Sequence, residues 1–266
     1  MIRWLTLSCL VFLFSAAFGT SAEAGRRQYS DTDWNVILLD NCGMPVPSAR
    51  SGEPSVEWFA QAGDRKLKFV LDPGDVGRCS SDSRRRHGAP YWERAELRQL
   101  KMMSYDAPFE IRFSAQFLEG FTNGRETFFQ LHGWTHACTA APLVMLKSHH
   151  GSLRLELLQG VVENGSPLGG APYRGQLRPV SMERLLIRDL VGAEHVFRSR
   201  LSMKGGYGVF SLWIDDRLMV DEVPFTYQSC VTPRIKLGIY RPGGDANRRS
   251  VLLIDDVWVR SGALDE

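Results

Sequence analysis

Three short segments, far apart in the chain, carry the residue types that bind anions and move protons. They are Arg94-Ala95-Glu96-Leu97-Arg98, Gln130-Leu131-His132 and Lys236-Leu237-Gly238-Ile239-Tyr240. Arginine and lysine pair with anions, and an amide donates hydrogen bonds without ionising. Histidine exchanges a proton near neutral pH, and a tyrosine hydroxyl both donates and accepts. Brought together, such groups would hold a carboxylate and transfer a proton beside it. The alternation within each segment says how they are brought together. In a β-strand successive side chains point to opposite faces, so Arg94, Glu96 and Arg98 share one face, as do Gln130 and His132, and Lys236 and Tyr240. Ala95, Leu97, Leu131, Leu237 and Ile239 all point the other way and are apolar. Three half-buried strands with cationic, amide, imidazole and phenol fronts describe the floor of a polar groove for an anion.

Strand-like segments bounded by turn signals recur along the chain, and helical periodicity is scarce. They include Phe109–Phe117, Thr127–Gly133, Leu143–Lys147, Leu153–Leu158 and His195–Met203. Val209–Ile214, Leu218–Val223, Arg234–Arg241 and Val251–Arg260 follow. His149-His150-Gly151-Ser152 and Asp215-Asp216-Arg217 read as hairpin turns. A helix is expected only around Ser181–Asp189. Many strands and few helices predict an all-β fold, a sandwich or jelly roll.

The first residues are predicted to be a secretory signal, residues 1–24. Arg3 precedes a nearly unbroken apolar run from Leu5 to Phe18, and Ala22-Glu23-Ala24 suits cleavage before Gly25. The run is shorter than the roughly 20 residues a spanning helix needs, and no second one follows, so the mature chain is expected to be secreted or periplasmic. Residues 25–266 are expected to form a single domain, a length that one large β unit can have. Four cysteines remain after the signal, Cys42, Cys79, Cys138 and Cys230. An even count in an exported chain predicts at least one disulfide, with three pairings open. No spacing is CxxC, which argues against zinc. The formal charge of +2 gives no global basic field, which argues against a nucleic-acid partner. The local run Arg84-Arg85-Arg86-His87, just before Tyr91-Trp92-Glu93-Arg94, reads either as a solvated loop or as a rim of the groove.

The three motifs, in this order, resemble those of the jelly-roll polysaccharide lyases, the superfamily of heparin lyase I, glucuronan lyases and a class of alginate lyases. Phe69-Val70-Leu71-Asp72-Pro73-Gly74-Asp75 leading into Glu93-Arg94-Ala95-Glu96-Leu97 looks closest to the heparin lyase I and glucuronan lyase branch. Ile254-Asp255-Asp256-Val257-Trp258-Val259 looks like the last strand of a concanavalin-like sandwich. The similarity runs from about Leu67 to Arg260. It implies a concanavalin-like jelly-roll sandwich of two antiparallel sheets with a concave substrate groove. The implied reaction is β-elimination at a uronic acid: removal of the C5 proton and expulsion of the O4 oxygen, leaving a 4,5-unsaturated sugar. By resemblance and by chemistry, Gln130 and Arg94 stabilise the charge developing on the carboxylate. His132 is the base and Tyr240 the acid, or Tyr240 is both. Lys236, Arg98, Arg86, His87, Trp134 and Arg241 are substrate-binding candidates. Glu96, between two arginines, is expected to orient them rather than to catalyse. His136, His149, His150 and His195 read as surface or turn residues. Trp92 and Trp134 are placed either on sugar rings or in the core.

The expected substrate is an acidic polysaccharide, glucuronan-like first, then alginate or a glycosaminoglycan. The chain is expected to act as a monomer. No organic cofactor is implied, and a structural calcium ion is compatible with the resemblance but has no identifiable ligands. A glycoside hydrolase would need two facing carboxylates, and no acidic strand cluster supplies them. A non-catalytic carbohydrate-binding domain on the same fold would need no base and acid pair, so Gln130, His132 and Tyr240 together favour an enzyme.

Overall fold

The computed structural model describes residues 27–262, apart from 45–46, 49, 86–87, 102, 104–106, 119, 122–124, 134–141, 161–175, 183–184, 228–231 and 245–248. The chain forms two antiparallel sheets. The front sheet contains β1 (Gln28–Tyr29), β2 (Leu38–Asp40), β5 (Trp92–Gln99), β7 (Thr127–Gly133), β8 (Pro142–His149), β9 (Ser152–Gln159), β10 (Gln176–Pro179) and β14 (Pro233–Pro242). Its spatial order is β1-β2-β5-β14-β7-β8-β9-β10. The back sheet contains β3 (Val56–Gln61), β4 (Asp64–Leu71), β6 (Phe109–Phe117), β11 (Glu194–Lys204), β12 (Tyr207–Ile214), β13 (Arg217–Thr226) and β15 (Ser250–Ser261). It runs β13-β12-β11-β6-β15-β4-β3. This is the expected β-sandwich jelly roll. Neighbours such as β5, β14 and β7 come from distant parts of the chain, which is how three separated motifs reach one place.

Alternation decides what each sheet contributes to the space between them. Ala95, Leu97, Phe129, Leu131, Ile235, Leu237 and Ile239 of the front sheet are buried against Phe113, Phe117, Phe197 and Leu252 of the back sheet. Phe113 stacks across the sandwich on Phe129 with centroids 5.3 Å apart, and beside it on Phe197 at 5.1 Å. Each such ring, removed from water, contributes about 1.5–3 kcal/mol. Because Ala95, Leu97, Phe129, Leu131, Ile235, Leu237 and Ile239 are held inward, their neighbours Arg94, Glu96, Arg98, Gln130, His132, Lys236 and Tyr240 face outward.

The two expected hairpins form. His150 and Gly151 both have positive φ between β8 and β9, as do Asp215 and Asp216 between β12 and β13, the backbone that a two-residue turn with primed geometry requires. The helix expected around Ser181–Asp189 does not form over the described residues. Leu186 instead bridges Ser152, and a single 3-10 turn covers Ile187–Asp189. Backbone pairing to β9 wins there over a weak local preference. One disulfide is present among the described residues, Cys42–Cys79, with Cα atoms 5.0 Å apart. Cys138 and Cys230 lie outside the described residues, as does the predicted signal. No helix of the described residues is long and apolar enough to cross a membrane.

Candidate functional site

The central strands β5, β14 and β7 place the three motifs side by side. Lys236 pairs with Arg98 on one side and Gln130 on the other, Tyr240 pairs with Arg94, and Arg234 pairs with His132. Between Lys236 and Tyr240 the strand bulges: Leu237 opposes Phe129 and Tyr240 opposes Thr127, one residue too many on β14. Gly238 makes the bulge, with φ +132°. A Cβ there would lie 2.3 Å from the Ala95 carbonyl oxygen and 2.7 Å from Glu96 Cα. Only glycine lets β14 stay close to β5 at this point.

Outward-facing does not mean solvent-exposed here. Arg94 is 3% exposed, and Glu96 and Gln130 are 2% exposed, because two loops lie over them. The first follows β2. The Asn41 N–H donates to the Glu96 carbonyl oxygen at 3.0 Å, and its side chain donates to Glu96 Oε2 at 2.6 Å. The second precedes β5. Asp82, fully buried, accepts Arg94 Nε at 2.9 Å and Nη2 at 2.8 Å. The Cys42–Cys79 bridge fastens the two loops together. A Cβ at Gly77 would lie 2.1 Å from Asp82 Oδ2 and 2.9 Å from Arg94 Cβ, so this glycine is the gap through which the ion pair fits.

Glu96 is the hub. Its Oε2 also accepts Arg94 Nη1 and lies 3.8 Å from Lys236 Nζ, while its Oε1 accepts Gln130 Nε2 at 2.6 Å. The expectation that Glu96 orients Arg94 is met. Three of the five N–H donors of the Arg94 guanidinium are engaged with Asp82 and Glu96. Burial disfavours its charge, but Glu96 and Asp82 outweigh this and hold it more firmly protonated than an ordinary arginine. Lys236 goes the other way. Burial, opposed by Glu96 and reinforced by Arg94, lowers it from 10.5 to about 8.

His132 is half-buried at the end of β7, and its Nδ1 lies 2.8 Å from the Gly133 carbonyl oxygen. A carbonyl only accepts, so Nδ1 carries the proton and the lone pair of the neutral ring is on Nε2. Tyr240 is 7% exposed. Trp92 stacks on its ring at 5.0 Å and the Arg94 guanidinium sits 4.1 Å from its centroid. Trp92 is half-buried and holds the tyrosine through one face of its ring. Arg98 is half-buried on the same sheet face.

Arg241 is not part of this face. It follows Tyr240 and so points to the opposite side, 1% exposed, where Nε binds Glu93 Oε2 at 2.5 Å and Nη1 binds Ser250 Oγ at 2.8 Å. Glu93 also accepts Gly74 N at 2.7 Å, so the Asp72–Asp75 turn and Arg241 form one buried structural network. Arg86, His87 and Trp134 lie outside the described residues. His195, paired with Asp215 at 2.6 Å, is a surface contact of the back sheet. Asn41 and Asp82 were not anticipated: both come from loops with no pattern, and only the nearby cysteines marked those loops. Among the described residues no group of three or more His, Cys, Asp or Glu side chains is placed to hold a metal ion.

The fold has clear likenesses among solved structures. The chain is similar to the endo-β-1,4-glucuronan lyase of the fungus Trichoderma reesei, with TM-score 0.55 and 15% identity, covering 78% of this chain and 87% of that one. It is similar to alginate lyase A1-II′, a member of polysaccharide lyase family 7, with TM-score 0.52 and 14% identity over 83% and 94% of the two chains. An alginate lyase from a Chlorella virus gives TM-score 0.51 and 10% identity over 78% and 89%. No protein-family model and no curated protein sequence matches the chain. The two sheets of this chain are thus folded as the β-sandwich that these lyases share.

Proposed function

We propose that the chain is a polysaccharide lyase that cleaves an acidic, uronate-containing polysaccharide by β-elimination. One observation carries the reading: Gln130, His132, Lys236 and Tyr240 lie on adjacent strands of one sheet face, around a carboxylate, Glu96, that holds the Gln130 amide and Arg94 and lies beside Lys236. The difficulty of the reaction is the C5 proton, which is weakly acidic beside a charged carboxylate. Donors already in place lower that barrier, because they need no reorganisation when charge develops. Gln130 spends one amide N–H on Glu96, and its second is available to the substrate carboxylate. Arg94 supplies positive potential from beneath, and Lys236 supplies a cation at the half-buried edge. His132 removes the proton through Nε2, and Tyr240 protonates the departing O4. The side chains alone carry these steps, with no organic cofactor.

Glucuronan is the first substrate to test, then alginate and the glycosaminoglycans; two of the solved structures that this fold resembles are a glucuronan lyase and an alginate lyase. The disulfide agrees with an oxidising compartment, in keeping with secretion or a periplasm. The test is a screen of the protein from Gly25 onward, following the ultraviolet absorbance of 4,5-unsaturated uronates with glucuronan, alginate, pectate, hyaluronan and heparin. A rise on any one establishes elimination and names the sugar. Tight binding with no rise on any substrate would instead make the chain a binding domain.

A further inference from the structure

The outer face of the back sheet carries a second cationic surface that the reaction does not use. In register across β15, β6, β11 and β12 run Trp258, Arg112, Arg198 and Trp213. One row along, Arg260, Glu110 and Arg200 are aligned in the same way. Four guanidiniums are therefore gathered on three adjacent strands, roughly 4.8 Å apart from strand to strand. The side chains of Arg198, Arg200 and Arg260 are 28%, 33% and 52% exposed.

These arginines are not consumed by internal pairing. Glu110, 3% exposed at its side chain, approaches all three, but at 3.6, 3.7 and 3.6 Å. None of these is a hydrogen bond, and Glu110 Oε2 and Arg200 Nε are both buried without a hydrogen-bond partner. Arg112 has no carboxylate partner among the described residues. The other acids on this face are engaged elsewhere: Asp64, Glu194 and Asp255 pair with Lys66, Glu57 pairs with Lys68, and Asp221 accepts Ser211 Oγ at the β12–β13 edge. The Arg198 guanidinium carbon sits over Trp213, 4.2 Å from the ring centroid, a cation–π contact. On the front sheet, by contrast, Arg94 makes hydrogen bonds of 2.8 and 2.9 Å to Asp82.

We infer that this back face is a second binding site for a strand of acidic polysaccharide, distinct from the front-sheet site. A row of aligned guanidiniums with unused donors matches the carboxylates or sulfates of a linear polyanion, and flanking tryptophans match its sugar rings. The disulfide fits an oxidising, extracytoplasmic setting, where such glycans rather than nucleic acid are met. The inference shares the acidic-glycan part of the proposed function but not the cleavage.

The test measures binding of glucuronan, alginate and heparin by affinity electrophoresis and calorimetry, with double-stranded DNA as a control. It uses the full mature chain, its Lys236→Gln/Arg98→Gln variant, and each of these carrying Arg198→Gln/Arg200→Gln. In the front-site variant, binding to at least one glycan should persist and then fall by at least ~10-fold, with reduced salt dependence, when the back arginines are removed. Arg112→Gln leaves Glu110 untouched and serves if the double variant misfolds; it should also weaken binding. Turnover on short oligosaccharides, read by absorbance, should be unchanged by the back substitutions. Binding abolished by the front variant alone, binding indifferent to Arg112 and Arg198/Arg200, or preference for DNA would each overturn the inference. Absence of lyase activity with retained back-face binding would remove the proposed reaction and leave this site standing.

Discussion

Replacing Lys236 with methionine keeps a long unbranched side chain and removes the charge. The Lys236 side chain is 13% exposed, and its pKa is lowered from 10.5 to about 8 by burial, with Glu96 only partly offsetting this. That drop corresponds to about 3 kcal/mol against keeping the charge in the folded state. Below pH 8 both folded and unfolded chains carry the proton, and the cost is felt in full. Between pH 8 and 10.5 the unfolded chain holds a proton that the folded chain has released, so the stability set by this residue rises with pH. Above that range the cost is gone. Lys236→Met should therefore stabilise the protein at pH 7 by about 1–3 kcal/mol, raising the melting temperature by roughly 2–4 °C per kcal/mol. The gain should shrink toward zero by about pH 10.5. Affinity for an acidic polysaccharide should fall at the same time, because the proposed site places this charge beside the substrate. Denaturant titrations of both proteins at several pH values, with binding measured alongside, test both halves. A variant less stable than the parent at pH 7, or a gain independent of pH, would refute the reasoning and make Lys236 an ordinary ion-pair partner of Glu96.

His132→Ala and Tyr240→Phe should each lower turnover by at least ~10²-fold with the fold intact by circular dichroism; near-normal rates in both would take these residues out of the mechanism. Removing the disulfide by Cys42→Ser/Cys79→Ser opens a crosslink spanning 37 residues and should cost about 4 kcal/mol by chain entropy. It should also depress turnover more than stability alone explains, since Asn41 and Asp82 ride on the loops it ties. Gly238→Ala should destabilise by at least about 2 kcal/mol, because it places a Cβ at positive φ against the Ala95 carbonyl; an unchanged denaturation midpoint would show that the bulge relaxes freely.

Alternation explains what was legible in advance. Phe109–Phe117 and Thr127–Gly133 appear with the bounds read from their pattern, because inward and outward residues differ sharply in polarity along them. The same rule gathered Gln130, His132, Lys236 and Tyr240 on one face without any contact being known. Applied one residue further, it also removes Arg241, whose neighbour Tyr240 already claims the outer side. Asn41 and Asp82 were beyond its reach. A loop residue contributes through a contact set by the closed fold, and Asp82 meets Arg94 only because a turn, a glycine and a disulfide deliver it there. The helix near Ser181 failed for a related reason: Leu186 finds a β partner in Ser152, a long-range contact that no local pattern announces.

The two arginine sets of this sandwich differ in a way that bears on what each can do. On the front, Arg94 is locked to Asp82 and Glu96 by short hydrogen bonds under a covering pair of loops. Such a guanidinium cannot follow a moving ligand, but it holds Glu96, which in turn aims Gln130 and sits beside Lys236. Rigid donors of this kind suit a transition state, whose charge must be met in one geometry. On the back, Arg198, Arg200 and Arg260 surround Glu110 at distances too long for hydrogen bonds, and their side chains keep solvent contact. Donors of that kind suit retention of a repeating chain in many registers, where no single geometry is preferred. On the two proposals together, one face acts on one sugar and the other keeps the polymer near it.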